Sequence, residues 1–490
     1  MTAPTPPPTV SLGDPAPGAA LLAQPRRIHI VAVGGAGMSA IAGILASMGH
    51  RVSGSDQAAA AVLDRLRAQG IDARVGHDAA AIEPGIDLVA RSTAIGDDNP
   101  EVAAARAAGV PVWSRAQILA AIAATRRTVA VAGTHGKTTT SSMLAMVLIE
   151  AGLDPSFIIG GDVNELGTGA NWGSGDLFVI EADESDGTFV TLPRAAAVVT
   201  NLEPDHIEHW GTFAALQASF VEFVAGTDGP CVVCADDPGA LALAVSSGAV
   251  TYGTHPDAEY RMDGLSTTRD GVSFTLSRRA PTGDTELGPI TLPVPGDHNA
   301  RNAAAAVVTG LLLGAPFTAG QAAMARFGGV ARRFQLRGEV DGITFIDDYA
   351  HLRTEVQAAL LAASAGDWHR IVCVFQPHRY SRTASLWPTF ADAFDLADLL
   401  VVTDIYPSGE APRPGITAKL VVDAVLDHDP RRRLVFVPDR DDLVTFLRRE
   451  LRAGDLCLTL GAGDLTTVPD DVIARFGPTR PTGGPAVVEP

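Results

Sequence analysis

A chain of 490 residues with 46% apolar content is long enough for about three domains, each with its own core. Its formal charge of −19 excludes a nucleic-acid binder held by broad basic patches, and its four cysteines are too few for a disulfide scaffold. No apolar run reaches the roughly 18 uncharged residues of a membrane span, and no basic start with an apolar block marks export, so the expectation is a cytoplasmic protein acting on small molecules.

Residues 1–25 are rich in proline and read as a disordered tail. The run Ile28 to Val33 suits a strand buried on both faces of a parallel sheet. A glycine turn follows, Gly34-Gly35-Ala36-Gly37-Met38-Ser39. Met38, Ile41, Ile44, Leu45 and Met48 then recur at helical spacing until Gly49 stops the helix, and Arg51 to Asp56 forms the next strand. The turn is similar to a dinucleotide fingerprint, with Ala32 where the first glycine belongs. Its amides at a helix N-terminus suit a pyrophosphate and Asp56 suits a ribose, so the residues leave NAD, a UDP-sugar or a simple packing turn open.

A second strand–loop–helix unit opens at Thr128 to Ala132 and leads into Gly133-Thr134-His135-Gly136-Lys137-Thr138-Thr139. The amides of such a loop cradle phosphates, Lys137 reaches the β/γ oxygens and the Thr138 hydroxyl ligates Mg²⁺, although Val131 stands where the usual first glycine would be. Lys137 and Lys419 are the only lysines, which makes the position of Lys137 informative. Glu181 ends the apolar strand Leu177 to Ile180, where a carboxylate can hold the nucleotide's metal. His206 follows the strand Ala195 to Thr200 and is read either as structural or as serving a second Mg²⁺. Cys231 and Cys234 have metal-ligand spacing but lack a second pair, and read as core thiols.

Tyr260 to Val294 reads as an antiparallel insertion turning at Asp270-Gly271. Pro295 to Asn302 begins a helix whose polar edge, with His298, Asn299 and Asn302, can meet a base or metal, unless Asp297 or His298 only caps it. Ala303 to Phe317 reads as a core helix. Strands at Ile343 to Ile346, Ile371 to Phe375, Leu399 to Thr403, Leu434 to Val437 and Leu456 to Leu460, with helices between, make a third α/β domain. His378, Arg379 and Arg382 follow its second strand, at a sheet end where two arginines can grip a carboxylate or else form a surface basic patch. The tail from Gly477 is again Pro/Gly-rich.

Together with Arg332-Arg333-Phe334, Asp347-Asp348-Tyr349-Ala350-His351 and Gly461 to Asp464, these segments resemble the Mur ligase family, in the motif order of its alanine-adding branch, from about Arg27 to Thr467. The resemblance implies an α/β protein of three domains. A Rossmann-like domain over 26–122 would bind a UDP-sugar, a central P-loop ATPase with a mixed sheet would span 123–335, and a Rossmann-like domain over 336–476 would close over ATP and bring the amino acid. It implies ATP-dependent joining of L-alanine to the lactyl carboxylate of UDP-N-acetylmuramate through an acyl phosphate, with ATP and Mg²⁺ as cofactors, in peptidoglycan synthesis by a cytoplasmic monomer or weak homodimer with no nucleic-acid or membrane partner.

Carried over residue by residue, Gly34, Gly35, Ala36, Gly37, Met38, Ser39 and Asp56 bind the UDP-sugar, and Gly133 to Thr139 the phosphates. His298, Asn299 and Asn302 meet the adenine side, and Arg332 and Arg333 the nucleotide. Thr138 and Glu181 hold one Mg²⁺ and His206 serves the second, so that Lys137, Glu181 and His206 form the catalytic group. Tyr349, His351, His378, Arg379 and Arg382 take the amino acid. Two departures stand out: no lysine lies between Asn201 and Pro230 to be carbamoylated as in later-acting members, and Leu352-Arg353 replaces the family's second histidine and proline. A murein-tripeptide recycling ligase, a catalytically silent UDP-sugar-binding relative and an NAD-dependent oxidoreductase remain the alternatives.

Overall fold

The computed structural model describes residues 16–280 and 283–476. Most of the expected N-terminal tail and all of the C-terminal one therefore lie outside the described residues. Within the former, Ala16–Leu22 corrects the expectation: it is a helix, seated so closely on the helix Arg115–Ala123 that a methyl group on Gly18 would lie 2.8 Å from Ala121 Cβ. The apolar residues Ala19, Ala20, Leu21 and Leu22, hidden among the prolines, account for it; Leu22 is buried.

The first sheet has five parallel strands, β1 (Arg27–Val31), β2 (Arg51–Asp56), β3 (Asp72–Val75), β4 (Leu88–Arg91) and β5 (Val112–Ser114), ordered β3-β2-β1-β4-β5. The order reverses at β1, so a crevice opens at its C-terminal end, where open α/β sheets bind ligands. The glycine turn and the helix Ala36–Ser47 follow there, with Gly49 at φ 93° just past the helix end.

The second sheet has ten strands: β6 (Arg127–Ala132), β7 (Ser156–Val163), β8 (Thr168–Asn171), β9 (Leu177–Glu181), β10 (Ala196–Val199), β11 (Cys231–Cys234), β12 (Val250–Gly253), β13 (Tyr260–Thr268), β14 (Gly271–Arg278) and β15 (Thr285–Leu292). Their order is β15-β14-β13-β12-β11-β10-β6-β9-β7-β8. β6 lies between β10 and β9, parallel to both, and carries the phosphate loop into the helix Lys137–Glu150, whose residues Thr138 to Leu148 are all buried. The expected insertion is not a separate layer: Tyr252 of β12 pairs in parallel with Tyr260 of β13, so β13 to β15 extend the main sheet. Cys231 and Cys234 are buried free thiols on β11, and burial pushes the Cys234 thiol up to about 11, as expected of inert core residues. The core helix ends earlier than expected, running Asp297–Leu312 before a second helix, Phe317–Arg326.

The third sheet holds β16 (Gln335–Val340), β17 (Ile343–Asp348), β18 (Arg370–Phe375), β19 (Leu399–Val402), β20 (Leu434–Phe436) and β21 (Asp455–Leu460), ordered β16-β17-β21-β18-β19-β20. All pairs are parallel except β16 with β17. Compact packing gives two units: the first sheet and most of the second lie in one, which ends at Gly328, while the third sheet lies in the other, together with Thr267–Val272 and Val294–Asp297.

Candidate functional site

In the glycine turn, Ala32 adopts φ 62°, the conformation for which the fingerprint's first glycine is needed. The later glycines serve close approach. A methyl group on Gly34 would lie 2.7 Å from Asp56 Oδ2, and one on Gly37 2.9 Å from Arg115 Nε. Asp56, at the end of β2, accepts from Gly34 N at 2.9 Å and from Ala58 N at 3.1 Å, so its carboxylate is held against the turn. Within the same unit, Ala36, Ser39, Gly43 and Arg65 share a cleft of about 730 Å³ with Gly160 and Trp172.

The phosphate loop keeps two glycines at positive φ, Gly133 (131°) and Gly136 (79°). Neither has room for a side chain, because Gly133 abuts Thr200 Oγ1 and a methyl on Gly136 would come within 2.5 Å of Asn302 Oδ1. His135 N donates to Asn201 Oδ1 (2.8 Å), which ties the loop to the end of β10, and the His135 ring pairs with Glu203 at 3.2 Å. Lys137 Nζ donates to Gly133 O (2.6 Å), Thr134 O (3.2 Å) and both oxygens of Glu184 (3.1 and 2.9 Å). Burial alone would lower its pKa, but Glu184, Asp183 and Glu181 outweigh that and hold the ammonium above its ordinary range. It is a fixed positive charge.

Thr138 Oγ1 donates to Glu181 Oε1 at 3.1 Å, and Glu181 Oε2 accepts from Gly160 N at 2.8 Å. A hydroxyl beside a carboxylate is the hard-oxygen donor pair that Mg²⁺ prefers. A second group is formed by Asp183, Glu184 and His206, whose donor atoms all lie within 4.8 Å of one another. His206 has φ 52° and approaches Asp205 Oδ2 at 3.3 Å. The structure thus brings together Lys137, Thr138, Glu181 and His206, and adds Asp183 and Glu184 from the segment that follows Glu181. Glu184 lies three residues past the strand end and is fully buried, a position where a carboxylate needs a cation, here Lys137. Asn299 and Asn302 are buried on the helix Asp297–Leu312, with Asn302 against the loop.

In the second unit, Tyr349 follows β17 and lies under both Arg332 (4.8 Å) and Arg333 (5.1 Å), so the arginines expected at the nucleotide and the tyrosine expected at the amino acid form one cluster. Arg332 Nη2 donates to the carbonyls of Gly461 and Gly463, each at 2.9 Å. Asp348 accepts from Phe334 N and Ala350 N, both at 2.7 Å, and burial pushes its carboxyl up to about 6 against the pull of Arg333 and those amides. His351 Nδ1 lies 3.0 Å from Tyr349 O and 3.3 Å from Glu355 Oε2. The ring of His378 meets that of His351 edge-on, with centroids 5.6 Å apart, and stacks on Tyr406 at 5.8 Å. Burial, with His351, Arg382 and Arg379 nearby, lowers the His378 pKa to about 3, so its Nδ1 accepts from Arg382 Nη1 (3.3 Å) as a neutral ring. Arg379 has φ 64°, and its Nε is buried without a partner. Glu410, unremarked in the sequence, accepts from Ser381 N at 2.8 Å and from the Ser381 hydroxyl, which fixes the turn carrying Arg379 and Arg382. The departure from the family pattern is absorbed locally: Leu352 is buried, the helix starts at Arg353, and Arg353 forms a two-bond pair with Asp392 at 2.9 and 2.7 Å.

Three family models match successive parts of the chain: the catalytic domain of the Mur ligase family over residues 27–127, the Mur ligase middle domain over 131–310, and the Mur ligase glutamate ligase domain over 332–463. The UDP-N-acetylmuramate–L-alanine ligase of Anaeromyxobacter sp. is 43% identical over 92% of this chain and 98% of its own. The protein of that name from Renibacterium salmoninarum is 45% identical over 90% and 94%. Among solved structures, the UDP-N-acetylmuramate–alanine ligase of Thermotoga maritima matches with a TM-score of 0.77 at 30% identity, covering 92% of this chain and 99% of that one. The murein peptide ligase of Psychrobacter arcticus shares the fold, with a TM-score of 0.66 at 23% identity over 92% and 99%.

Proposed function

The chain belongs to the Mur ligase family, and we propose that it is the member that joins L-alanine to the lactyl carboxylate of UDP-N-acetylmuramate with ATP, as a cytoplasmic monomer or weak homodimer in peptidoglycan synthesis. No helix among the described residues is long and apolar enough to cross a membrane. The observation that carries the reading is Lys137, a permanently charged ammonium fixed by loop carbonyls and Glu184 beside the Thr138–Glu181 oxygen pair.

A carboxylate does not react with an amine until one oxygen becomes a leaving group. In the first step the lactyl carboxylate attacks the γ-phosphorus, the bond to ADP breaks, and an acyl phosphate forms. Lys137 would meet the phosphates and balance the negative charge that shifts toward the leaving oxygen, while Gly133 to Thr139 would hold the chain of phosphates in line. Thr138 and Glu181, with His206 at a second position, would hold Mg²⁺, which supplies charge neutralisation at the phosphoryl oxygens. In the second step the alanine amine attacks the acyl carbon, phosphate leaves and the amine loses a proton. Arg379 and Arg382 grip the alanine carboxylate by charge-assisted hydrogen bonds, with Tyr349, His351 and neutral His378 around it. Gly34 to Ser39 and Asp56 bind the UDP moiety, and His298, Asn299 and Asn302 take the adenine side.

The test is phosphate release by the full chain with each substrate omitted in turn. Release that requires UDP-N-acetylmuramate, L-alanine and ATP together is the expected result. Release with tripeptide in place of alanine would indicate the recycling activity, and none under any combination a silent relative.

A further inference from the structure

We propose that Arg115 reads the diphosphate of the UDP-sugar and makes the glycine-turn site prefer a diphosphate over a monophosphate, an inference that rests on assigning that turn to a UDP-sugar. Arg115 is the first residue of the helix Arg115–Ala123 after β5, and its backbone is fixed from both sides. Ser114 Oγ accepts from Gln117 N at 3.2 Å, while Ser114 N donates to Gln117 Oε1 at 2.8 Å. From there the side chain reaches the turn: a methyl on Gly37 would lie 2.9 Å from its Nε and 3.4 Å from both Cζ and Nη2. The guanidinium thus lies alongside Gly37 at the start of the helix.

This position is electrostatically unfavourable for a cation by itself. Gly37 is the second residue of the helix Ala36–Ser47, and the first internal bond there is Ser39 N to Gly35 O at 2.8 Å. The amides ahead of it point out of the positive end of the helix. Among the described residues, no carboxylate or carbonyl hydrogen-bonds or pairs with Arg115. Arg91, at the end of the neighbouring β4, is by contrast paired with Asp97 at 2.7 Å. The acid at the turn, Asp56, stands at Gly34 and is bonded to that residue's amide. A half-buried cation beside a helix N-terminus, in a chain of net charge −19, is stabilised by an anion. A planar guanidinium reaches two phosphoryl oxygens at once, so a diphosphate gains more from it than a monophosphate does.

Calorimetric titration of the full chain with UDP-N-acetylmuramate, UDP and UMP decides the matter, using the native protein, Arg115→Ala and Arg115→Lys, with ADP affinity and the melting temperature as folding controls. Native protein should bind UDP well ahead of UMP. Arg115→Ala should weaken UDP and the UDP-sugar by about 10–100-fold and UMP by far less, with Arg115→Lys between the two and ADP affinity unchanged. A native UDP-to-UMP ratio in Arg115→Ala, or equal losses for both nucleotides, overturns the proposal while leaving the ligase reading intact. Native protein that binds no uridine nucleotide overturns both. Should Arg115→Ala fail to fold, the ratio measured in Arg115→Lys carries the same decision.

Discussion

Around the phosphate loop, carboxylates outnumber cations: Glu181, Asp183 and Glu184 face Lys137 and His206. Around Tyr349 guanidinium groups gather instead: Arg332, Arg333, Arg379 and Arg382 lie among Asp347, Asp348, Glu355 and Glu410, beside the neutral ring of His378. The difference follows what each region would take. An acidic loop repels bare phosphates, so nucleotide and divalent cation should enter together. The arginine forks suit the carboxylate of an amino acid.

The comparison breaks first at Lys137. Lys137→Ala should lower turnover by about 10²–10³-fold, as expected when one transition-state charge contact is lost, and leave UDP-sugar affinity nearly unchanged. Because it also strands the buried Glu184, Lys137→Ala/Glu184→Gln should recover stability without recovering turnover, which thermal melts and a phosphate assay will separate.

Asp348 tests the arginine-rich side. Its folded pKa of about 6 is above the value for an unfolded aspartate, so the native state holds its proton longer. Stability from this group is full below about pH 4, falls as pH rises and is lost above about pH 6, a change of ~3 kcal/mol. Denaturant unfolding across that window should show the loss, and Asp348→Asn should flatten it.

Arg382→Lys should raise the KM for alanine about tenfold with ATP and UDP-sugar affinities unchanged, since a point charge replaces a fork. The smallest effect on catalysis is expected at the departure from the family pattern. The effect on kcat/KM for alanine in Leu352→His/Arg353→Pro should be small, while stability should fall by about 2–4 kcal/mol, chiefly because an imidazole replaces the buried Leu352 side chain, the Arg353–Asp392 pair adding only ~0.2–1 kcal/mol. In the native protein glycine should be a slow substrate, one methyl in a pocket being worth roughly 1–3 kcal/mol. An inactive native protein rescued by the double substitution would mean that Leu352 and Arg353 disable the acceptor pocket.

The strands that carry the chemistry were legible because they are apolar runs buried on both faces. β6, β9, β17, β18 and β21 fall where the sequence places them, and β6 and β21 run into glycine turns at Gly133 and Gly461. β16 was not legible: Gln335 to Val340 alternates polar residues through a bulge between Leu336 and Gly338 and sits at a sheet edge. β7 and β8 were hidden by their glycines. Glu184, Glu410 and Arg115 were missed for another reason. Their importance comes from partners distant in sequence, Lys137 for the first, Ser381 for the second and Gly37 for the third, and local spacing does not report such pairs.

The scarcity of lysine has a practical side. Of the two side-chain amines, Lys137 is largely covered, bonded to Gly133 O, Thr134 O and Glu184 and held protonated, and a protonated amine is no nucleophile. Lys419 is exposed at the start of the helix Lys419–His428, 5.9 Å from the Phe436 ring. Among side chains an amine-acylating dye should therefore mark Lys419 and spare the phosphate loop, and at a pH low enough to favour the α-amine the two sites of labelling can be told apart by mass spectrometry.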